Sequence, residues 1–306
     1  MSSRKISVAL IAVAWVAVSQ SPASAAVSRY IDGPRNEFGI TVDAGYHAWS
    51  VDTAAHPYLQ SVWVKPDGGP AYRVSSLASE AFVGNIDLAN PTYGDVLVFY
   101  AGGSFGRGQY DLRIWDLANR EALSLPAGIN TRTADESAPS ISGDYLSFVR
   151  TRPSGATRLL LYRFSTDTFT TIATGNRTTG FFYDQLAGDY LVYHRCLSTG
   201  VCNVFRRRIS TATTVQAPNL GHANYYPTVL TDGTVYYVQG SARYCGHHTK
   251  LMKWTGSGSA TLLVALPETI ESGAMDAYDD GSSTTLYFSR NRCRTSQYGI
   301  YQLPNV

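Results

Sequence analysis

The sequence has 306 residues, 25 basic and 23 acidic side chains and a formal charge of +2, and its longest basic run is Arg206–Arg208. With no basic patch or stripe, composition argues against a nucleic-acid partner. Tyrosine (21) and glycine (27) are abundant while methionine (3) is scarce, which favours strands and turns over amphipathic helices.

In chain order, Arg4 and Lys5 precede an apolar run from Ile6 to Val18, and Ala23-Ser24-Ala25 offers a small-residue cleavage site. That order is a secretory signal peptide's, so residues 1–25 are expected to be removed and the remainder exported. Removing Arg4 and Lys5 leaves 23 basic against 23 acidic residues, a formal charge of zero. No later run approaches the ~20 apolar residues of a membrane helix, so no transmembrane segment is expected in the mature chain.

From there a phrase repeats. "ISGDYLSFVR" (141–150) returns as "LAGDYLVYHR" (186–195), and its turn recurs at Gly45, Gly94, Gly143, Gly188, Gly233 and Gly281. The intervals are 49, 49, 45, 45 and 48 residues, a period that signals a propeller or solenoid. A short apolar strand enters each turn. An alternating strand leaves it, carrying Leu97/Phe99, Leu146/Phe148, Leu191/Tyr193, Val235/Tyr237 and Leu286/Phe288, with Trp49 in the aromatic place of the first unit. Period-two alternation sets each pair on one face. Third strands such as "LRIWDL" and "LLLYRF" and fourth strands such as "FTTIAT" complete each unit.

Four-stranded units at this period predict an all-β, six-bladed β-propeller of antiparallel blades in one domain, 26–306. The blades fall near 37–80, 83–128, 134–175, 181–218, 222–267 and 272–303. The sixth lacks a fourth strand, so "VSRYI" (27–31), within 27–33, is expected to close it and remove an exposed edge.

The strand, the Asp/Gly turn, the L-x-F strand and the "IY" strand together resemble the WD40-like repeats of TolB-type six-bladed propellers. The family's S-P-D-G turn stands here as S-G-D, A-G-D, T-D-G and D-D-G. The resemblance covers nearly the whole mature chain and leaves no room for TolB's additional N-terminal domain. It implies the fold, a bacterial source, an extracytoplasmic location and a protein-binding style of function.

The four cysteines suit an exported protein, and sequence alone leaves their three pairings open. "CLSTGVC" looks like the two ends of a hairpin loop, which would join Cys196 to Cys202. On a propeller, Cys245 and Cys293 fall in same-face loops of neighbouring blades five and six, where a bridge between them is expected.

That face, formed by the loops between second and third strands and by those between blades, also receives His56, His194, His222, His247 and His248, but not His47. No helical i, i+4 pair and no C-x-x-C is present, so no metal or other cofactor is expected. Before the turn, blades four and six carry Asp184 and Asp276 where Pro139 and Pro227 stand in blades three and five. Innermost strands line the channel, so both carboxylates are expected at its loop-side mouth, with His222, Tyr225 and Tyr226 between them. Together with His194, Arg195 and Arg290 these are the candidate ligand-binding residues; no catalytic residue is assigned.

The favoured function is a secreted, monomeric, non-enzymatic scaffold that recognises a protein, peptide or cell-envelope glycan through this loop face. The alternative is a carbohydrate-active hydrolase or lyase with Asp184 and Asp276 as acid and base. That chemistry needs carboxylates ~5–9.5 Å apart, and sialidase-type S-x-D-x-G-x-T-W boxes are absent.

Overall fold

A computed structural model describes residues 26–31, 36–52, 60–74, 80–102, 109–176, 178–219, 221–240, 249–266, 275–291 and 298–306. They form six four-stranded antiparallel sheets, five in sequence order from the inside outward and the sixth completed on its outside by the N-terminal strand. The inner strands are Glu37–Asp43, Glu80–Asn90, Asp135–Ser142, Thr179–Ala187, Asn224–Val229 and Met275–Asp279. The second strands are Tyr46–Asp52, Gly94–Gly102, Tyr145–Thr151, Tyr190–Leu197, Val235–Gln239 and Thr284–Asn291. One 3₁₀ turn, Phe164–Thr166, interrupts the strands.

Every repeat glycine turns at positive φ, from 53° at Gly143 to 90° at Gly45. An L-residue there would be strained, which is why the glycine recurs while the residues around it drift.

The alternating strand decides how blades pack. Leu97 and Phe99 join Val62 and Val64 of blade one, and Leu146 and Phe148 join Val96 and Val98 of blade two. The same holds for Leu191/Tyr193, Val235/Tyr237 and Leu286/Phe288 against blades three, four and five. Trp49 and Val51 close the circle against Tyr287 and Ile300 of blade six. The hydrophobic core is therefore divided into six inter-blade seams, each supplied by one L-x-F face and the blade before it.

Strand Ser28–Ile31 is the outer strand of blade six, pairing antiparallel with Tyr298–Leu303 with Arg29 opposite Tyr301. Tyr30 Oη hydrogen-bonds with His47 Nδ1 at 2.9 Å, and His47 Nε2 meets Asp67 Oδ1 at 2.8 Å, so the closing strand is tied to blade one as well. Deleting residues 27–31 should lower stability by about 3 kcal/mol, from lost burial of Tyr30 and Ile31. It should also promote association through the bared edge of Tyr298–Leu303. Thermal unfolding and light scattering would measure both, and a variant that stays monomeric with an unchanged Tm would contradict this closure.

The basic run is structural. Arg206 stacks over Tyr190 and Trp254 at 5.1 and 5.3 Å and donates to the carbonyls of Gly233 and Thr255, clamping blade four to blade five. Arg208 pairs with Asp189 at 2.8 Å.

Candidate functional site: the channel and its loop-side mouth

The inner strands meet around a channel, and hydrogen bonds between neighbours define its midline. Thr41 Oγ1 accepts from Ile86 N, Asn85 Oδ1 from Ile141 N, and Ser140 Oγ from Leu186 N, at 3.2, 2.7 and 2.8 Å. Gln185 Oε1 accepts from Val229 N at 3.0 Å, and Asp276 Oδ2 accepts from Val42 N at 2.8 Å. Thr228 completes the ring by donating to Asp276 Oδ1 at 3.4 Å. In five of the six blades one side chain thus satisfies the next blade's backbone, where an unpaired buried amide would be costly, whereas Thr228 of blade five bonds the Asp276 side chain.

This ring corrects the sequence register. Asp276 stands in the place of Gln185, and Asp184 stands one residue earlier, in the place of Pro139 and Pro227. Neighbouring strand residues point to opposite faces, so the two carboxylates do not share a surrounding. Asp276 is buried and receives five donors: Thr41 Oγ1, Val42 N, Gln185 Nε2, Thr228 Oγ1 and its neighbour Ala277 N. Burial still outweighs these bonds and pushes its carboxyl up to about 6.

Asp276 faces the turn side, where residues leading into the glycine turns line a cavity of about 260 Å³. Asp43, Asp87 and Asp279 line it too. Asp87 is pushed up to about 6, by desolvation first and then by Asp43 and Asp95. Among the described residues no group of three or more His, Cys, Asp or Glu is arranged to hold a metal ion.

A second, smaller cavity of about 40 Å³ opens toward the loop side, lined by residues at or just before the ring position in all six inner strands and by Tyr100 of a second strand. Five of those strands break register here: between Phe38 and Ile40, Val83 and Ile86, Ser137 and Ser140, Phe181 and Asp184, and Tyr225 and Thr228. Bulges re-aim side chains and cluster beside binding sites. Ala138 and Tyr226, each preceding a proline, both have φ of 47°, a conformation that costs an L-residue energy. Gly84 fits because a Cβ there would lie 2.3 Å from Pro139 O.

Asp184 lies in this mouth, 8% exposed. Its Oδ2 shares a short hydrogen bond with Ser147 Oγ of blade three, and its Oδ1 is buried with no hydrogen-bond partner. Desolvation pushes the carboxyl up to about 8, opposed only by Ser147. Ser147 Oγ also lies 3.4 Å from Ser140 O. A neutral Asp184 can therefore donate to Ser147 while Ser147 donates onward, leaving Oδ1 as a bare carbonyl oxygen. Tyr100, Tyr183 and Tyr226 line the same cavity, with Tyr183 and Tyr226 edge to face at 5.1 Å.

His194 lies buried behind this mouth. Its Nδ1 accepts from the bulge amide Tyr226 N at 3.2 Å. Ser50 and Ser289 do the same for Val83 N and Gly39 N at 3.0 and 2.9 Å. His194 is thus placed as a brace for the strained Tyr226, and burial pulls its imidazole down to about 3, so it stays neutral. His194→Ala should cost about 2 kcal/mol by orphaning that amide, and His194→Ser should recover part of the loss. Denaturant unfolding would read this, and equal losses for the two variants would contradict the brace.

The remaining candidates divide. Tyr225 Oη donates to Gly200 O at 3.1 Å, tying the mouth to the Cys196–Cys202 hairpin, whose disulfide is present. Leu197 and Val201 on that hairpin are 49% and 42% exposed. Arg195 is exposed on the second strand of blade four and His222 in the turn ahead of blade five. Arg290 stacks over Tyr301 at 5.1 Å. None of these three lines the small cavity. The arginine corresponding to Arg195 in blade three, Arg150, pairs with the fully buried Glu136 at 2.7 Å, a purely structural use. Cys245, Cys293, His56, His247 and His248 and the expected signal peptide lie outside the described residues.

Sequence reasoning missed Ser147, Tyr100, Tyr183 and Gln185. A signal for Tyr183 was present, since it stands beside Asp184 on the strand already singled out. The spelling G-x-S-x-G occurs at 102–106, but its serine lies outside the described residues. Among the described residues no α-helix follows it to form a nucleophile elbow.

No protein-family model matches the chain. No curated protein matches its sequence. Solved structures do match its shape. TolB from Acinetobacter baumannii superposes with a TM-score of 0.54 at 16% identity, over 85% of this chain and 63% of that one. A protein assigned as TolB from Agrobacterium tumefaciens gives 0.56 at 10%, over 89% and 91%. A puromycin hydrolase gives 0.53 at 14%, over 89% of this chain and 52% of that one. The chain thus spans under two thirds of the Acinetobacter protein and about half of the hydrolase. At these identities the likeness is one of fold, a TolB-like six-bladed propeller.

Proposed function

We propose that this protein is an extracytoplasmic recognition scaffold that binds a peptide segment of a partner protein at the loop-side mouth of its channel, on blades four and five. The observation that carries this reading is the mouth itself. A buried carboxyl group with one unpartnered oxygen sits among tyrosine rings, held by strained, bulged strands and bordered by an exposed apolar hairpin. Tyrosines supply large, rigid contact area with a polar tip, which suits peptide recognition. The Cys196–Cys202 bridge and the TolB-like fold support an extracytoplasmic setting.

The catalytic alternative draws less support. Glycoside hydrolysis uses a pair of carboxylates across one bond. Here Asp276 is consumed by five donors within the ring, and the mouth offers Asp184 alone among the described residues.

The test is a displayed-peptide selection on the full exported chain, with isolated peptides measured against variants of both faces. Binding should weaken at least tenfold with Tyr226→Ala and with Leu197→Asp, and should be unchanged by Asp279→Asn on the turn side. Peptides indifferent to both loop-side changes and lost with Asp279→Asn would overturn the reading.

A further inference from the structure

We propose, resting on the reading above, that the loop-side mouth takes the ammonium head of a lysine side chain from the bound peptide, with Asp184 as its counter-ion and the surrounding tyrosines as its walls. Three independent features of the cavity converge on that chemistry. The first is the orphan oxygen. Asp184 Oδ1 is buried without a donor, and the lining residues include no Lys, Arg or His among the described residues. A buried acceptor left unmade is costly and is relieved by an incoming donor.

The second feature is the wall. Tyr100, Tyr183 and Tyr226 contribute to the cavity, and Phe82 stacks on Tyr100 at 5.0 Å. Aromatic faces attract a desolvated cation, and they do so more strongly inside a recess than at a surface. The third is size. A cavity of about 40 Å³ has room for roughly three water-sized groups, at 10–15 Å³ each. An ammonium with its last methylene fits that room. Ammonium is the most compact of the cationic heads, whereas a guanidinium carries four heavy atoms and an N-terminal amine would bring its own backbone and side chain into the opening.

The groups facing Asp184 fix how binding depends on pH. On its own strand stands Tyr183, on the next strand Tyr193 and the neutral His194, from blade three Ser147, and from blade five Tyr226. Arg150 of blade three is already engaged by Glu136. No cation therefore offsets burial, and Asp184 holds its proton to about pH 8. An arriving ammonium favours the carboxylate, so the Asp184 proton leaves to solvent. Ser147 then turns its hydroxyl to donate to Oδ2, while Oδ1 accepts from the ammonium. Binding accordingly releases one proton per site between pH 5 and 8, and affinity rises about tenfold per pH unit across that window.

The probes are n-butylamine, n-butylguanidine and n-butanol, titrated calorimetrically into the full exported chain in two buffers of different ionisation enthalpy. Butylammonium should bind, release about one proton at pH 6.5, and weaken at least tenfold with Asp184→Asn and with Tyr100→Leu. Asparagine replaces the neutral carboxyl in kind, so folding is retained, and Tyr100→Leu tests the wall without touching the acid. Equal binding of butanol, preference for butylguanidine, or butylammonium affinity unchanged by Asp184→Asn would each overturn the proposal. The two readings fail separately. Selected peptides that lose binding with Tyr226→Ala but not with Asp184→Asn would keep the docking face and sink the lysine anchor. Butylammonium binding with no peptide recovered would keep the anchor and sink the docking face.

Discussion

The Asp184→Asn variant should become progressively more stable than wild type as pH rises from 5 to 7.5. Asp184 is pushed from its ordinary value of 3.8 up to about 8, by desolvation. A carboxyl whose folded value lies above its unfolded value contributes stability fully below about pH 4. That contribution is lost as pH climbs toward the folded value. Each pH unit inside the window removes about 1.4 kcal/mol, because the unfolded chain ionises while the folded one cannot. Asparagine has no proton to give up, so its profile lacks this slope. The gap between the two proteins should widen by about 3 kcal/mol from pH 5 to 7.5, roughly 7 °C in Tm for a chain of this size.

Asp87 and Asp276, both pushed up to about 6, add slopes of the same sign that end near pH 6 and are common to both proteins. Depressed carboxylates such as Asp144 and Asp189 act oppositely, and their contribution is lost only as pH falls below the ordinary carboxylate range. Calorimetric scans at half-unit pH intervals would check the difference. Parallel profiles would mean that Asp184 ionises freely and that the mouth is wetter than its geometry implies.

The largest loss of stability should come from Asp276→Ala, about 4 kcal/mol, because one substitution strands five donors in a buried ring. The donors belong to blades one, four, five and six, so the damage spreads across the channel rather than along one strand. Asp276→Asn should recover about half. Asn85 already fills the same place in blade two, accepting from Ile141 N and donating to Ile141 O at 2.7 and 2.8 Å. Urea unfolding of the three proteins at pH 7 gives the comparison. A cost under about 1 kcal/mol for Asp276→Ala would show that the ring is satisfied some other way.

The architecture was legible because its two signals are enforced by backbone geometry. Glycine recurs where φ is positive, and L-x-F recurs where a face must fill the seam to the preceding blade. Trp49 takes the aromatic place of the first unit and fills the seam with Tyr287. The site was less legible, and unequal glycine turns are the reason. Counting back from a turn glycine assumes turns of one length, but Ala187 and Tyr190 flank a two-residue turn whereas Asp279 and Thr284 flank four residues. Asp276 was therefore aligned with Asp184, although inter-blade bonding pairs it with Gln185. Nor did composition reveal that His194 performs the work of Ser50 and Ser289, because imidazole and hydroxyl differ in size and shape and share here their ability to accept a backbone N–H.

The recognition role of the mouth is tested most directly by following the Asp184 carboxyl resonance through a pH titration, with and without a peptide selected on the wild-type chain. Alone, the group should titrate near pH 8. With a lysine-bearing peptide bound, its midpoint should fall by two or more pH units, as an ammonium in the cavity stabilises the ionised form. A peptide that binds and leaves the Asp184 midpoint unmoved would contradict the account.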